Sequence, residues 1–103
     1  MRITGLAVVS PVHLPAADIA AIEALLQLPA GPDGRRNLEL HGIAVEAHAF
    51  GFFLSTAAML EDFRAPEVSA ALYGLLSDAE FQGCEWLLID RDEPADTTLP
   101  RFD

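Results

Sequence analysis

Apolar positions along the chain switch between a period of two and a period of three to four, and the switches divide it into elements. Residues 3–9 alternate imperfectly but are rich in β-branched side chains and closed by Ser10-Pro11, which predicts a first strand. From Pro15 the spacing turns helical: Ile19, Ile22 and Leu26 form a stripe that Leu25 widens, with Asp18 and Glu23 off it. Pro15 suits the first helical position, and Asp18 complements the positive end of the helix dipole. Pro29 closes the helix, Ala-Gly-Pro-Asp-Gly at residues 30–34 is the strongest loop signal, and Arg35-Arg36 follow it.

Residues 38–53 read as two strands. Leu38, Leu40, Ile43, Val45 and Ala47 are their apolar positions, and the change of parity at His41-Gly42 predicts a bulge or bend. The run Phe50-Gly51-Phe52-Phe53-Leu54 follows so closely that a tight hairpin is the natural link. A second helix is expected from Pro66, with Val68, Leu72, Leu75, Leu76 and Ala79 on one face and Gly74 weakening it. Gly83 stops that helix in a left-handed conformation. The unbroken Trp86-Leu87-Leu88-Ile89 then predicts a central strand covered on both faces.

Strand, helix, strand, strand, helix, strand predicts an α+β fold: one mostly antiparallel sheet with two helices, in the βαββαβ ferredoxin-like (split β-α-β) order. The 103 residues fit one domain, 1–103, with 93–103 an extended C-terminal tail whose Leu99 and Phe102 tuck against the core. A 51% apolar content excludes disorder as a class. The lone Cys84 excludes an internal disulfide and points to a reducing compartment, so the cytoplasm is the expected location. No apolar run reaches the ~20 residues of a membrane span, and the broken apolar start argues against a signal peptide.

Charge changes the picture further. The formal net charge is −10, from 16 acidic residues and six basic ones, all arginine. That balance opposes direct nucleic-acid binding, which needs clustered cations to displace counterions from phosphates. It permits an acidic face that docks on a basic surface. Asp78, Glu80, Glu85, Asp90, Asp92, Glu93, Asp96 and Asp103 are half of the 16 carboxylates and crowd the C-terminal quarter. Asp78, Glu80, Glu85, Asp92, Glu93 and Asp96 are the partner-binding candidates, as a strip that a basic groove would take for a phosphate backbone.

Catalytic candidates are weaker. His13 after the first strand, with Asp90 and Asp92 after the last, has acid–base potential, but the ferredoxin-like order sets them at opposite ends of the sheet. Glu46 and His48 share a strand face and, with His41, form an incomplete metal set, so no metal is expected. Asp90, Asp92, Glu93 and Asp96 lack the glycine and terminal glutamate of a calcium loop. Cys84 has no neighbouring cation to activate it. No phosphate-cradling glycine loop is present, and no cofactor is expected. Phe50, Phe52 and Phe53 form a candidate stacking platform that the negative charge opposes, which favours core or dimer packing.

One longer pattern remains: Gly83-Cys84-Glu85-Trp86, Leu87 to Ile89, Asp90-x-Asp92, and a closing Leu99-Pro100-x-Phe102-Asp103. With Ser10, Val12, His13 and Leu14 and the Phe50–Phe53 segment, it resembles a family of small uncharacterised bacterial domains met in phage- and plasmid-borne genes. Pro11 and Pro15 depart from it, standing where small polar residues are expected. The resemblance implies a mobile-element setting and brings no catalytic residue with it. Joined to the charge, it gives the functional expectation of a non-enzymatic acidic protein that inhibits a host nucleic-acid-binding defence complex, of CRISPR or restriction type, by protein–protein contact. The alternatives are a small-ligand or metal-dependent enzyme using His13, His48 and Asp90, and a homodimeric regulatory module joined through the Phe-rich hairpin edge.

Overall fold

A computed structural model describes residues 1–28, 38–60 and 65–103. Pro29, the loop expected at 30–34 and the Arg35-Arg36 pair lie outside them. The elements are β1 (Gly5–Val9), a 3-10 turn (Pro11–His13), α1 (Ala16–Leu26), β2 (Glu39–Leu40), β3 (Ile43–His48), β4 (Gly51–Ser55), a 3-10 turn (Ala57–Leu60), α2 (Ala70–Phe81) and β5 (Cys84–Asp90).

The fold is α+β, with two helices against one five-stranded sheet of order β1-β5-β4-β3-β2. All neighbours are antiparallel except β1 and β5, which run parallel. This differs from the ferredoxin-like order, in which the first strand is internal and antiparallel to the last. Here those strands exchange places: β5 lies between β1 and β4, and β1 is an edge. Burial accounts for the exchange. Leu87, Leu88 and Ile89 are all buried and need a strand on either side, whereas Leu6 and Val8 are 48% and 38% exposed and tolerate an edge.

The register assigns every strand residue to a face. Ala7, Leu87, Leu54 and Val45 form one row across the sheet, and Val9, Ile89, Phe52 and Ala47 the next. Ile22 of α1 and Leu72 and Leu76 of α2 join Val45, Phe52, Leu54, Leu87 and Ile89 in one buried cluster, so both helices take this face. The expectation that the Trp86–Ile89 run is covered on both sides by other elements is corrected by the opposite face. There Leu88 is buried between its neighbours Val8 and Phe53, Trp86 is only half-buried, and no helix residue of the cluster reaches it.

Local signals explain the element ends. The Ser69 hydroxyl accepts from the Leu72 N–H at 3.0 Å and caps α2, so the helix begins at Ala70 and not at Pro66. The same hydroxyl donates to the Asp18 carboxylate, which joins the first turns of both helices. Ser69→Ala removes both bonds and is expected to cost ~1–2 kcal/mol by thermal or denaturant unfolding. Gly83 has φ +86 as expected, and its N–H bonds the Glu80 carbonyl. Of the bulge or bend expected at His41-Gly42 the chain makes the bend: with φ 50 and 93 the two residues form a hairpin turn between β2 and β3. The expected tight hairpin after β3 is present, with His48 paired to Gly51. Gly74 is exposed within α2 and a Cβ there meets nothing within 4 Å. Gly74→Ala is therefore expected to stabilise the fold by ~1 kcal/mol, read as a higher denaturation midpoint.

Candidate functional site

The parallel β1–β5 pair and the two antiparallel steps to β3 bring the carboxyl ends of β1, β3 and β5 to one edge of the sheet. His13, His48 and Asp90 all follow or close these strands. This corrects the placement of His13 and Asp90 at opposite ends, which came from the antiparallel relation of first and last strands in the ferredoxin-like order. His48 and Asp90 pair across the same β4 residue, Gly51, so they share a face two strand spacings apart, roughly 10 Å.

Each of these side chains is occupied by main chain. His13 is 2% exposed: its Nδ1 lies 2.7 Å from the Pro100 carbonyl, and its Nε2 2.8 Å from the Asp96 N–H. A carbonyl only accepts and an amide N–H only donates, so one tautomer satisfies both, with Nδ1–H donating and Nε2 accepting. The Phe102 N–H adds a bond to the Val12 carbonyl at 2.8 Å, and the C-terminal segment is thereby laced to the turn after β1. His48 Nδ1 accepts from the Phe50 N–H at 3.1 Å, and Asp90 Oδ1 accepts from the Asp92 N–H at 2.9 Å. Arg91 donates from Nε to the Phe50 carbonyl and from Nη2 to the Ala49 carbonyl, which fixes the β3–β4 turn. A groove of about 460 Å³ between α1 and this edge is lined by Glu23, Gln27, His48 and Arg91 among apolar neighbours.

His41 lies in the turn before β3 and His48 at the end of that strand, which separates the two histidines of the candidate metal set. Among the described residues no three His, Cys, Asp or Glu side chains are grouped to hold a metal ion. Cys84 opens β5 half-buried, and its carbonyl accepts from the buried Thr56 hydroxyl at 2.7 Å. Of the three phenylalanines of the stacking candidate, Phe52 is in the core, Phe50 is in the turn and Phe53 is on the other sheet face. The Phe-rich hairpin is internal on its β4 side, where β5 pairs with it; the edge strands of the sheet are β1 and β2.

The six acidic candidates fall into two groups. Asp78 and Glu80 are in the last turn of α2 and Glu85 follows at the start of β5, while Asp92, Glu93 and Asp96 lie beyond its end. The strand from Glu85 to Asp90, with the turn that follows it, holds the groups roughly 20 Å apart. Asp78 and Glu80 oppose the negative end of the α2 dipole, with no basic residue in that turn to offset them. Glu85 pairs with Arg2. The exposed Asp96 carboxyl is held below its ordinary range by hydrogen bonds from the Thr98 hydroxyl and N–H.

The sheet face away from the helices was missed by sequence reasoning. Its rows are Val8–Leu88–Phe53–Glu46, Leu6–Trp86–Ser55 and Asp90–Gly51–His48. Edge-to-face contacts link His48 to Phe53, with centroids 5.1 Å apart, and Phe53 to Trp86 at 6.1 Å. The signal was the alternation of Leu6 and Val8 with Ala7 and Val9, which reads as apolar on both faces of β1 without saying which face is covered.

A family model described as the C-terminal domain of a family of unknown function, DUF5983, matches residues 6–103. The chain belongs to the DUF5983 family. No curated protein and no solved structure matches it. The match spans every strand and helix of the DUF5983 domain except Gly5 of β1, and it includes the tail that His13 holds.

Proposed function

We propose that this domain is a non-enzymatic interaction module whose acidic surface docks on the basic face of a nucleic-acid-binding protein. The observation that carries the reading is how its polar side chains are used. His13, Asp90 and His48 serve main-chain groups, while Asp78, Asp92, Glu93 and Asp96 stand exposed. Two acidic groups roughly 20 Å apart match two separated stretches of a basic groove in the way that duplex phosphates do. The narrower form of the proposal is inhibition of a host defence complex of CRISPR or restriction type, by a protein carried on a phage or plasmid.

Charge reversal tests it. Asp92→Lys, Glu93→Lys and Asp96→Lys together, and Asp78→Lys with Glu80→Lys separately, are compared with the parent for capture of nucleic-acid-binding proteins from host lysate and for relief of nuclease interference. Capture that is lost in the reversed variants and falls with salt supports the reading, because exposed charge pairs are screened. Capture and interference untouched by either set would sink it. The enzymatic alternative has one observation in its favour, the shared edge of His13, His48 and Asp90, and it requires activity that disappears in His48→Ala.

A further inference from the structure

The helix-free sheet face has a composition unlike the rest of the surface. On β1, β5 and β4 it presents the exposed Leu6 and Val8 and the half-buried Trp86 and Phe53 around the buried Leu88. Toward β3 and β2 it presents Glu46 and Glu39, both exposed, and at the strand ends Asp90 and the half-buried His48. No Arg or Lys occupies a position on this face in any of the five strands. The result is an apolar band beside an acidic margin, both running along the strand direction.

We infer that this face is a docking site for one amphipathic helix of a partner protein, with its apolar stripe along Trp86, Val8 and Phe53 and a flank of Lys or Arg beside Glu46 and Glu39. The inference deepens the interaction-module reading and rests on it. Charge complementarity selects the occupant: a cationic flank meets carboxylates with no Arg or Lys at a strand position beside them. A second copy of this chain stacked face to face brings Glu39, Glu46 and Asp90 against an equally acidic copy, and a net charge of −10 on each adds to the repulsion. Size fits as well, since the opposite face of the same sheet accommodates helices of 11 and 12 residues. A partner helix of about three turns covers the band between β1 and β4. The mode is an amphipathic helix laid on an apolar surface, with sheet in place of a groove.

Trp86 is the sole tryptophan, so its fluorescence reports on this face directly. The experiment titrates the full chain with a synthetic 15-residue amphipathic peptide carrying a leucine stripe and a lysine flank, and with its twin carrying glutamate on that flank. A saturable blue shift of Trp86 with the lysine peptide, about tenfold weaker with the glutamate twin, is expected. Val8→Glu, at an exposed edge position and checked for folding by circular dichroism, is expected to abolish the shift, and Glu46→Lys to weaken the lysine peptide and favour its twin. The lysate capture of the Asp92, Glu93 and Asp96 reversals reads the acidic surface on its own, so a lost peptide shift beside intact capture is failure of this site, and lost capture beside an intact peptide shift is failure of the acidic surface. No shift with the lysine peptide, equal shifts with both, or a Trp86 shift that follows protein concentration alone through self-association would each overturn the inference.

Discussion

Gly51→Ala is expected to be the most disruptive methyl addition among Gly5, Gly51, Gly74 and Gly83, costing ~3 kcal/mol or more and lowering the denaturation midpoint sharply. A Cβ at this position would stand 1.8 Å from the Ile89 carbonyl oxygen and 2.9 Å from its carbon, both main chain of β5. Main chain in the middle of a sheet has no rotamer to change, so β4 and β5 must move apart or the hairpin must shift register. Either response disturbs the row that joins Asp90, Gly51 and His48, and the two Arg91 bonds to the β3–β4 turn. The same change at Gly74 carries the opposite sign, because there the added methyl meets open space on a helix. Urea denaturation of both variants beside the parent checks the pair. A Gly51→Ala midpoint equal to the parent's would show that the β4–β5 approach is not as close as the geometry requires.

Local chemistry was legible in the sequence wherever a residue type has few conformational choices. Gly83 read as a left-handed helix stop, and it is one at φ +86. The tight link before the Phe-rich run is the His48–Gly51 turn. Ser69 carried a capping signal that the reading passed over in favour of Pro66, although a hydroxyl that satisfies the Leu72 N–H fixes a helix start better than a proline three residues earlier. His41-Gly42 showed a parity change that a bulge and a two-residue turn produce alike, and φ separates them.

Strand order was not legible, for a different reason. Periodicity names elements and faces, whereas pairing is decided between residues far apart in sequence: Gly5 with Cys84, and Val9 with Ile89. The observed succession differs from the ferredoxin-like one by an added strand, β2, which the His41-Gly42 turn separates from β3, and the observed sheet exchanges the places of its first and last strands. That exchange settles which residues meet. It turns the first and last strands parallel, brings His13 to the C-terminal segment, and leaves Leu6 and Val8 at an edge. The acidic candidates illustrate the same limit: their crowding in sequence is real, but β5 carries Glu85 at its start and ends before Asp92, and so divides them by its length. Closeness in sequence placed them on one strip only so long as the strand between them was ignored.

His13→Ala is expected to release the C-terminal segment and to cost ~2–4 kcal/mol, because two main-chain groups lose their partners and a buried ring leaves a void. The ring holds the Pro100 carbonyl at Nδ1 and the Asp96 N–H at Nε2 while only 2% exposed, so it acts as a two-ended staple between the turn after β1 and residues 96–100. Conservative variants divide the two ends. Asparagine places a donor near Nδ1 and keeps the Pro100 bond, whereas glutamine reaches toward the Nε2 position and keeps the Asp96 bond; each is expected to recover part of the loss. Limited proteolysis after Arg101, together with amide exchange at Asp96 and Phe102, reads the release locally, and denaturant unfolding reads its total cost. A structural staple predicts that proteolysis, exchange and stability change together and that both amides rescue in part. A catalytic His13 predicts that an activity is lost while the tail stays protected, and that outcome would return the residue to the chemistry its position at the strand ends first suggested.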